Sequence, residues 1–173
     1  MSAPTAPARQ QILTFEQTRQ KIRRIAFEIY ERNFEEEEII LAGITGEGNV
    51  FAQLLAAEIQ DISPIKTVLT KLLFDKDKPH RSTISFEGDP ILTDGKVVIV
   101  VDDVLNTGRT LAFALQPFLQ YRLKKLQVAV IIDRDHHNFP VSADYVGYAL
   151  STTFNEHVEV ILSQEGSEGV YLK

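Results

Sequence analysis

Val97 to Val101 reads "VVIVV", five β-branched residues in succession. A strand with one wet face alternates apolar and polar residues, because its side chains point to opposite faces in turn. A strand that is apolar at every position must be covered on both sides, which is the habit of parallel sheets clothed by helices. "IILAGI" (39–44) and "VAVII" (128–132) repeat the pattern. Between these runs lie segments of helical period, so the chain is expected to be α/β, with a mostly parallel central sheet flanked by helices. Ligands of such sheets bind beyond the carboxyl ends of the strands. The turns to examine are therefore 45–49, 102–110 and 133–140.

The helices are marked by period and caps. In Thr14 to Asn33, residues Ile22, Ile25, Ala26, Ile29 and Tyr30 share a face, and Thr14 with Gln17 forms a capping-box pattern. Arg19, Arg23, Arg24 and Arg32 lie on its outer, solvated side. A second helix is expected from about Val50 to Ile59 with Asn49 as N-cap. A third, Thr110 to Tyr121, should be kinked by Pro117. Val68 to Phe74, "ADYVGYAL" and "VEVIL" supply further strands. Residues 76–94 are polar and charged, with Pro79, Gly88 and Pro90. They read as a small hood or flap, about 75–95, in which "STISF" is a short β excursion. Residues 1–11 read as a disordered tail, and 12–173 as one domain.

Totals exclude several classes. At 173 residues and 44% hydrophobic, the chain can bury a sizeable core. It has no cysteine, so disulfides, thiolate metal sites and cysteine nucleophiles are ruled out. Its net charge of −6 argues against nucleic-acid binding by overall charge. No apolar run reaches membrane length, and the polar start lacks a signal-peptide core, so the expected setting is the cytoplasm.

The first of these strands ends in the paired acids Asp102 and Asp103, and Val104, Leu105 and Asn106 lead to "TGRT", Thr107 to Thr110. Backbone N–H groups at a helix start make an anion site, and Gly108 lets the backbone come close. The threonine hydroxyls and Arg109 add donors. Acids beside an anion site conflict at first sight: an aspartate about 4 Å from a phosphate charge costs roughly 1–4 kcal/mol. The conflict disappears if the ligand has both parts. A sugar phosphate seats its phosphate in 107–110 and offers vicinal hydroxyls to the carboxylates, which can also hold Mg²⁺ directly or through water. The Thr45, Gly46, Glu47, Gly48 turn between strand and helix is a second phosphate cradle.

"VVIVVDDVLNTGRT" resembles the signature of type I phosphoribosyltransferases, which use phosphoribosyl pyrophosphate (PRPP). "RRIAFEIYERN", "ILAGITGEG" and "AVIIDRDHHNFPVSADYVG" extend the likeness to the pyrimidine-operon regulator and uracil phosphoribosyltransferase (PyrR) family. That resemblance implies the type I phosphoribosyltransferase fold and transfer of ribose-5-phosphate from PRPP to a base, uracil first, with Mg²⁺. Asp102 and Asp103 would hold the ribose hydroxyls and organise the metal. Residues 102–110 would bind PRPP, with Thr107 to Thr110 on its 5-phosphate and 45–48 on the pyrophosphate, while the flap around Lys76 to Arg81 would close over it. Asp133, Arg134, Tyr145 and Val146 would wall the base. Homodimers or larger homo-oligomers are usual among such proteins.

This sequence departs from the pattern in places. The family's pyrophosphate turn usually carries a basic residue where this chain has Glu47. Oxopurine enzymes place an acid where this chain has Asn106, which weakens a purine reading. Regulatory members bind leader RNA through basic residues. Arg24 and Arg32 fit that, whereas Phe27, Asn138, Ser142 and Tyr148 do not.

Overall fold

A computed structural model describes residues 9–81, 83–88, 93–153 and 155–173. Two sheets organise them. The larger has strand order β4-β3-β2-β5-β6-β7, built from β2 (Glu38–Ile44), β3 (Lys66–Leu73), β4 (Ser85–Phe86), β5 (Val97–Leu105), β6 (Lys125–Asp133) and β7 (Tyr145–Ala149). Its pairs are parallel except β3 with β4, which caps one edge. The smaller is antiparallel, β1 (Gln10–Leu13), β9 (Gly169–Leu172) and β8 (Val158–Ile161).

Consecutive apolar residues do what the pattern requires. Ile39, Leu41, Val97, Ile99 and Val101 pack on one face of the sheet. There they meet α1 (Phe15–Asn33) and α2 (Glu47–Ile62) through Ile22, Ile25, Ile29, Phe51 and Leu55, each fully buried. Side chains of this size contribute about 1.5–3 kcal/mol apiece when buried. Ile40, Ala42, Val98 and Val100 face the other way, onto the shorter α3 (Arg109–Leu115) and the single 3-10 turn that follows it. The flap completes that cover, with Phe86 stacked on Phe118 at 5.4 Å.

Strand order explains where a ligand can go. From β2 the chain crosses to β3 on one side, then returns to place β5 against the opposite edge of β2 and moves outward to β6 and β7. The direction reverses between β2 and β5, and at such a switch point the turns that leave the two strands diverge and open a crevice. Those turns are 45–48 and 102–110.

Several boundaries differ from the sequence expectation. Thr14 caps α1 with both halves of the capping box in place. The second helix starts at Glu47, with Gly46 as N-cap, so Asn49 is inside it. Asn49 and Val50 N–H donate to the Gly46 carbonyl at 3.1 and 3.4 Å, so the spiral is already closed at Asn49, and helix ends are not set by propensity alone. Pro117 ends α3 at Leu115 in place of kinking a longer helix, because it can supply no N–H to a continuing spiral. Gln10 and Gln11, expected in the tail, pair with Leu172 and Tyr171 in the small sheet. Residues 1–8 of that tail, and residues 82 and 89–92 of the flap, lie outside the described residues. Among the described residues no helix is long and apolar enough to cross a membrane.

Candidate functional site

β5 and α3 build the end of the candidate site where a phosphate is expected. Gly108 is the N-cap of α3 in the left-handed region, φ 87°, where a β-carbon is disfavoured. A side chain there would also stand 3.3 Å from the Phe139 carbonyl oxygen. Among the described residues, the amides of Thr107, Gly108, Thr110 and Leu111 donate to no protein acceptor, while Arg109 N–H donates to the Thr107 hydroxyl at 3.3 Å. Residues 104–111 enclose a cleft of about 30 Å³. The Thr107 carbonyl turns away from it and accepts from Asn138 and Phe139 N–H at 2.8 and 3.0 Å, so the 135–141 segment braces the loop from behind.

The acids stand at the neck of that loop. Asp102 is 2% exposed and Asp103 is half-buried. Asp102 Oδ1 accepts from Asp103 N–H at 3.0 Å and from Lys76 Nζ at 3.0 Å; Lys76 also lies 3.8 Å from Asp103. Burial, with Asp103 alongside, pushes the Asp102 carboxyl up to about 8, and Lys76 offsets only part of this. Burial opposes the Lys76 charge, but Asp102 and Asp103 outweigh it and raise its pKa.

The first turn of α2 lies on the same acid. A β-carbon on Gly48 would come within 2.8 Å of Asp102 Oδ1, so only glycine allows the helix N-terminus, with its positive dipole end, to sit this close. Thr45 is held by β3, its N–H and hydroxyl both donating to the Leu72 carbonyl. The Glu47 side chain is held by the segment that follows β8. Its carboxylate accepts from Leu162 N–H at 2.7 Å and from the Ser163 hydroxyl, at the end of β8.

The end where a base is expected is assembled from three separate segments. Leu105 is in register with Asp133, which puts Asn106 and Asp133 at neighbouring carboxyl ends. Asp133 Oδ1 accepts from Asp135 N–H and His137 Nε2, each at 2.9 Å. Arg134 is 8% exposed. Its guanidinium donates to Asn106 Oδ1 at 2.9 Å, to the Thr152 hydroxyl at 2.7 Å and to the Glu156 carbonyl at 2.6 Å. Tyr145 and Val146, expected in this wall, stand at the opposite end of the sheet. Tyr145 opens β7 in register with Ala129, four residues before Asp133, which at about 3.3 Å per residue is roughly 13 Å away. Tyr145 is fully buried there, its hydroxyl donating to Gln127 and accepting from Asn33. At the carboxyl end of β7 stand Ala149 and Leu150.

Lys76, His80, Thr152 and Glu156 join the site without having been singled out among its residues. His80 Nδ1 lies 2.9 Å from Arg109 Nη2; because a guanidinium only donates, the ring nitrogen accepts. The charged composition of 76–81 pointed to the flap but carried no signal for which acid it would meet. The arginines of α1 are spent internally: Arg19 and Arg23 pair with Glu58, Arg24 donates to the Val146 and Gly147 carbonyls, and Arg32 donates to the Asp144 carbonyl.

At the switch point of this α/β sheet a turn of backbone amides stands beside a carboxylate pair, a combination suited to a ligand that has both an anionic group and hydroxyls. Comparison with known proteins agrees: the phosphoribosyl transferase domain model matches residues 8–164, and the chain belongs to that family. It is 37% identical over 171 residues to the bifunctional protein PyrR of Pelotomaculum thermopropionicum, covering 94% of each chain. With the protein of the same name from Streptococcus thermophilus it shares 36% over 155 residues, 86% of this chain and 88% of the relative. Its fold matches the hypoxanthine phosphoribosyltransferase of Trypanosoma cruzi with a TM-score of 0.77 at 18% identity, over 94% of this chain and 95% of that one.

Proposed function

We propose that this protein transfers ribose-5-phosphate from PRPP to a free nucleobase, uracil first, releasing pyrophosphate. One observation carries the reading: among the described residues, the amides of Thr107, Gly108, Thr110 and Leu111 donate to no protein acceptor, and these residues line a cleft just past β5, the strand that carries Asp102 and Asp103. The amides suit the 5-phosphate, and the carboxylates accept from the ribose hydroxyls. The base nitrogen forms its bond to C1 of the ribose as the C1–oxygen bond to pyrophosphate breaks. Pyrophosphate leaves with the electron pair, and the nitrogen's proton passes to solvent or to the departing group. Amides at the start of α2 stabilise the charge that develops on the leaving group. Lys76 and His80 bring the flap down over the site, which keeps water from the sugar.

The carboxylate pair fits Mg²⁺ in donor chemistry, since both are hard oxygen ligands and the ammonium of Lys76 already stands in as a cation beside them. Mg²⁺ held by Asp102 and Asp103 would supply charge neutralisation for the leaving pyrophosphate.

Uracil comes first among the bases because Asn106, at the position that handles the purine ring proton in oxopurine enzymes, is neutral and has its carbonyl oxygen held by Arg134. The arginines that an RNA-binding reading leans on, Arg24 and Arg32, donate to backbone carbonyls of the protein itself. The test is PRPP turnover with uracil, hypoxanthine, guanine and adenine. Uracil is converted fastest, and Asp103→Asn lowers turnover by about 100-fold, the scale expected for one lost charge-stabilising contact. Well-folded protein that converts no base would end this reading.

A further inference from the structure

The turn that opens α2 carries its own rival for an anion. Among the described residues, the amides of Gly46, Glu47 and Gly48 donate to no protein acceptor. Glu47 is the first residue of α2. A carboxylate in the first turn of a helix is stabilised by the free N–H groups and the positive dipole end there. By local preference alone, this acid would settle on the amides of its own turn and take the place of a bound phosphate. Its carboxylate accepts instead from the Leu162 amide at 2.7 Å and from the Ser163 hydroxyl, far along the chain. Those donors follow β8, which Val158 and Val160 anchor in the core that α2 shares, so their position does not depend on the turn. Ser163 itself is exposed, so its hydroxyl supplies this contact and no core packing.

We propose that Ser163 is a positioning residue that, with the Leu162 amide, holds Glu47 off the amides of the 45–48 turn and so keeps them open to pyrophosphate. Ser163 acts through Glu47 and not on the ligand. Released from it, the carboxylate competes with pyrophosphate for the same N–H donors and adds like-charge repulsion. The segment after β8 thereby sets how well the turn accepts an anion, although it belongs to neither end of the site. A nucleoside monophosphate, whose single phosphate seats at 107–110, escapes this competition. The inference rests on the reading of the site given above.

The experiment titrates inorganic pyrophosphate and UMP by calorimetry, at fixed excess Mg²⁺, into wild type, Ser163→Ala and the double variant Ser163→Ala/Glu47→Ala. Ser163→Ala weakens pyrophosphate by about fivefold, the scale of one lost hydrogen bond. UMP binds it as it binds wild type. Adding Glu47→Ala recovers most of the pyrophosphate affinity, because the internal competitor is gone. A purely structural loss at Ser163 would deepen with the second substitution, not reverse. Circular dichroism checks that each variant is folded. Pyrophosphate bound equally by wild type and Ser163→Ala overturns the inference and leaves the transferase reading standing. So does an equal loss of both ligands, or a double variant no better than Ser163→Ala. Wild type that binds neither ligand overturns both.

Discussion

The two ends of the site are built by different means. The proposed phosphate end is made of backbone, from one continuous stretch: a strand end, a left-handed glycine and four amides within residues 104–111. The base end is made of side chains from 106, 133–137 and 152–156, drawn together by a single guanidinium. A backbone grip needs few specific side chains and tolerates change outside its turn. A grip that converges on one buried arginine fails when that residue is lost. The first suits a ligand part common to a whole family, and the second suits the part that distinguishes one substrate from another.

The sharpest way to break this comparison is Arg134→Met. It removes five partly buried donor contacts to Asn106, Thr152, Thr153 and Glu156 and takes the charge from a buried position. A stability loss of about 3 kcal/mol is expected. In the folded fraction, KM for the base rises at least about tenfold while KM for PRPP changes little, since one contact to a charged group is worth roughly that factor. Denaturant titration and a two-substrate kinetic grid measure both, and equal rises in the two KM values would merge the two ends into one unit.

A smaller effect probes the neck between them. Asp102 is held at about 8, well above its ordinary 3.8, so the folded state binds its proton more tightly than the unfolded chain does. Its contribution to stability is complete below about pH 4 and is lost as pH rises through 8. Asp102→Asn has no proton to lose there. Its Tm should match wild type near pH 4 and exceed it increasingly up to pH 9, by a few degrees. A Tm difference that does not vary with pH would contradict the burial of this acid.

The smallest effect is Tyr145→Phe. It gives up hydrogen bonds to Gln127 and Asn33 at the far end of β7, worth about 1 kcal/mol of stability. KM for the base stays as in wild type. A raised KM would move the base pocket back toward the position expected from sequence.

Why that expectation failed at Tyr145 and Val146 is instructive. "ADYVGYAL" is visibly a strand, but its register against β6 depends on pairing between residues 16 apart, and nothing local sets it. β5 runs past its apolar run to Leu105, whereas Asp133 stands at the carboxyl end of β6, where the apolar run "VAVII" ends, and such an end can be read directly. The same holds for Thr14 and Gln17, whose capping box lies within one turn. β1 and β9 were not seen as strands at all: they are four residues each and find one another across almost the whole chain.

By itself, the sequence determined the parallel sheet, the glycine turn after β5 and the membership of the family, because each is written in contiguous residues whose backbone preferences agree. Tertiary structure alone decided that Glu47 turns to Ser163, that Arg134 holds Asn106 and that Lys76 stands on Asp102. These are long polar side chains with many rotamers of similar energy, and only the partners that folding brings near select among them.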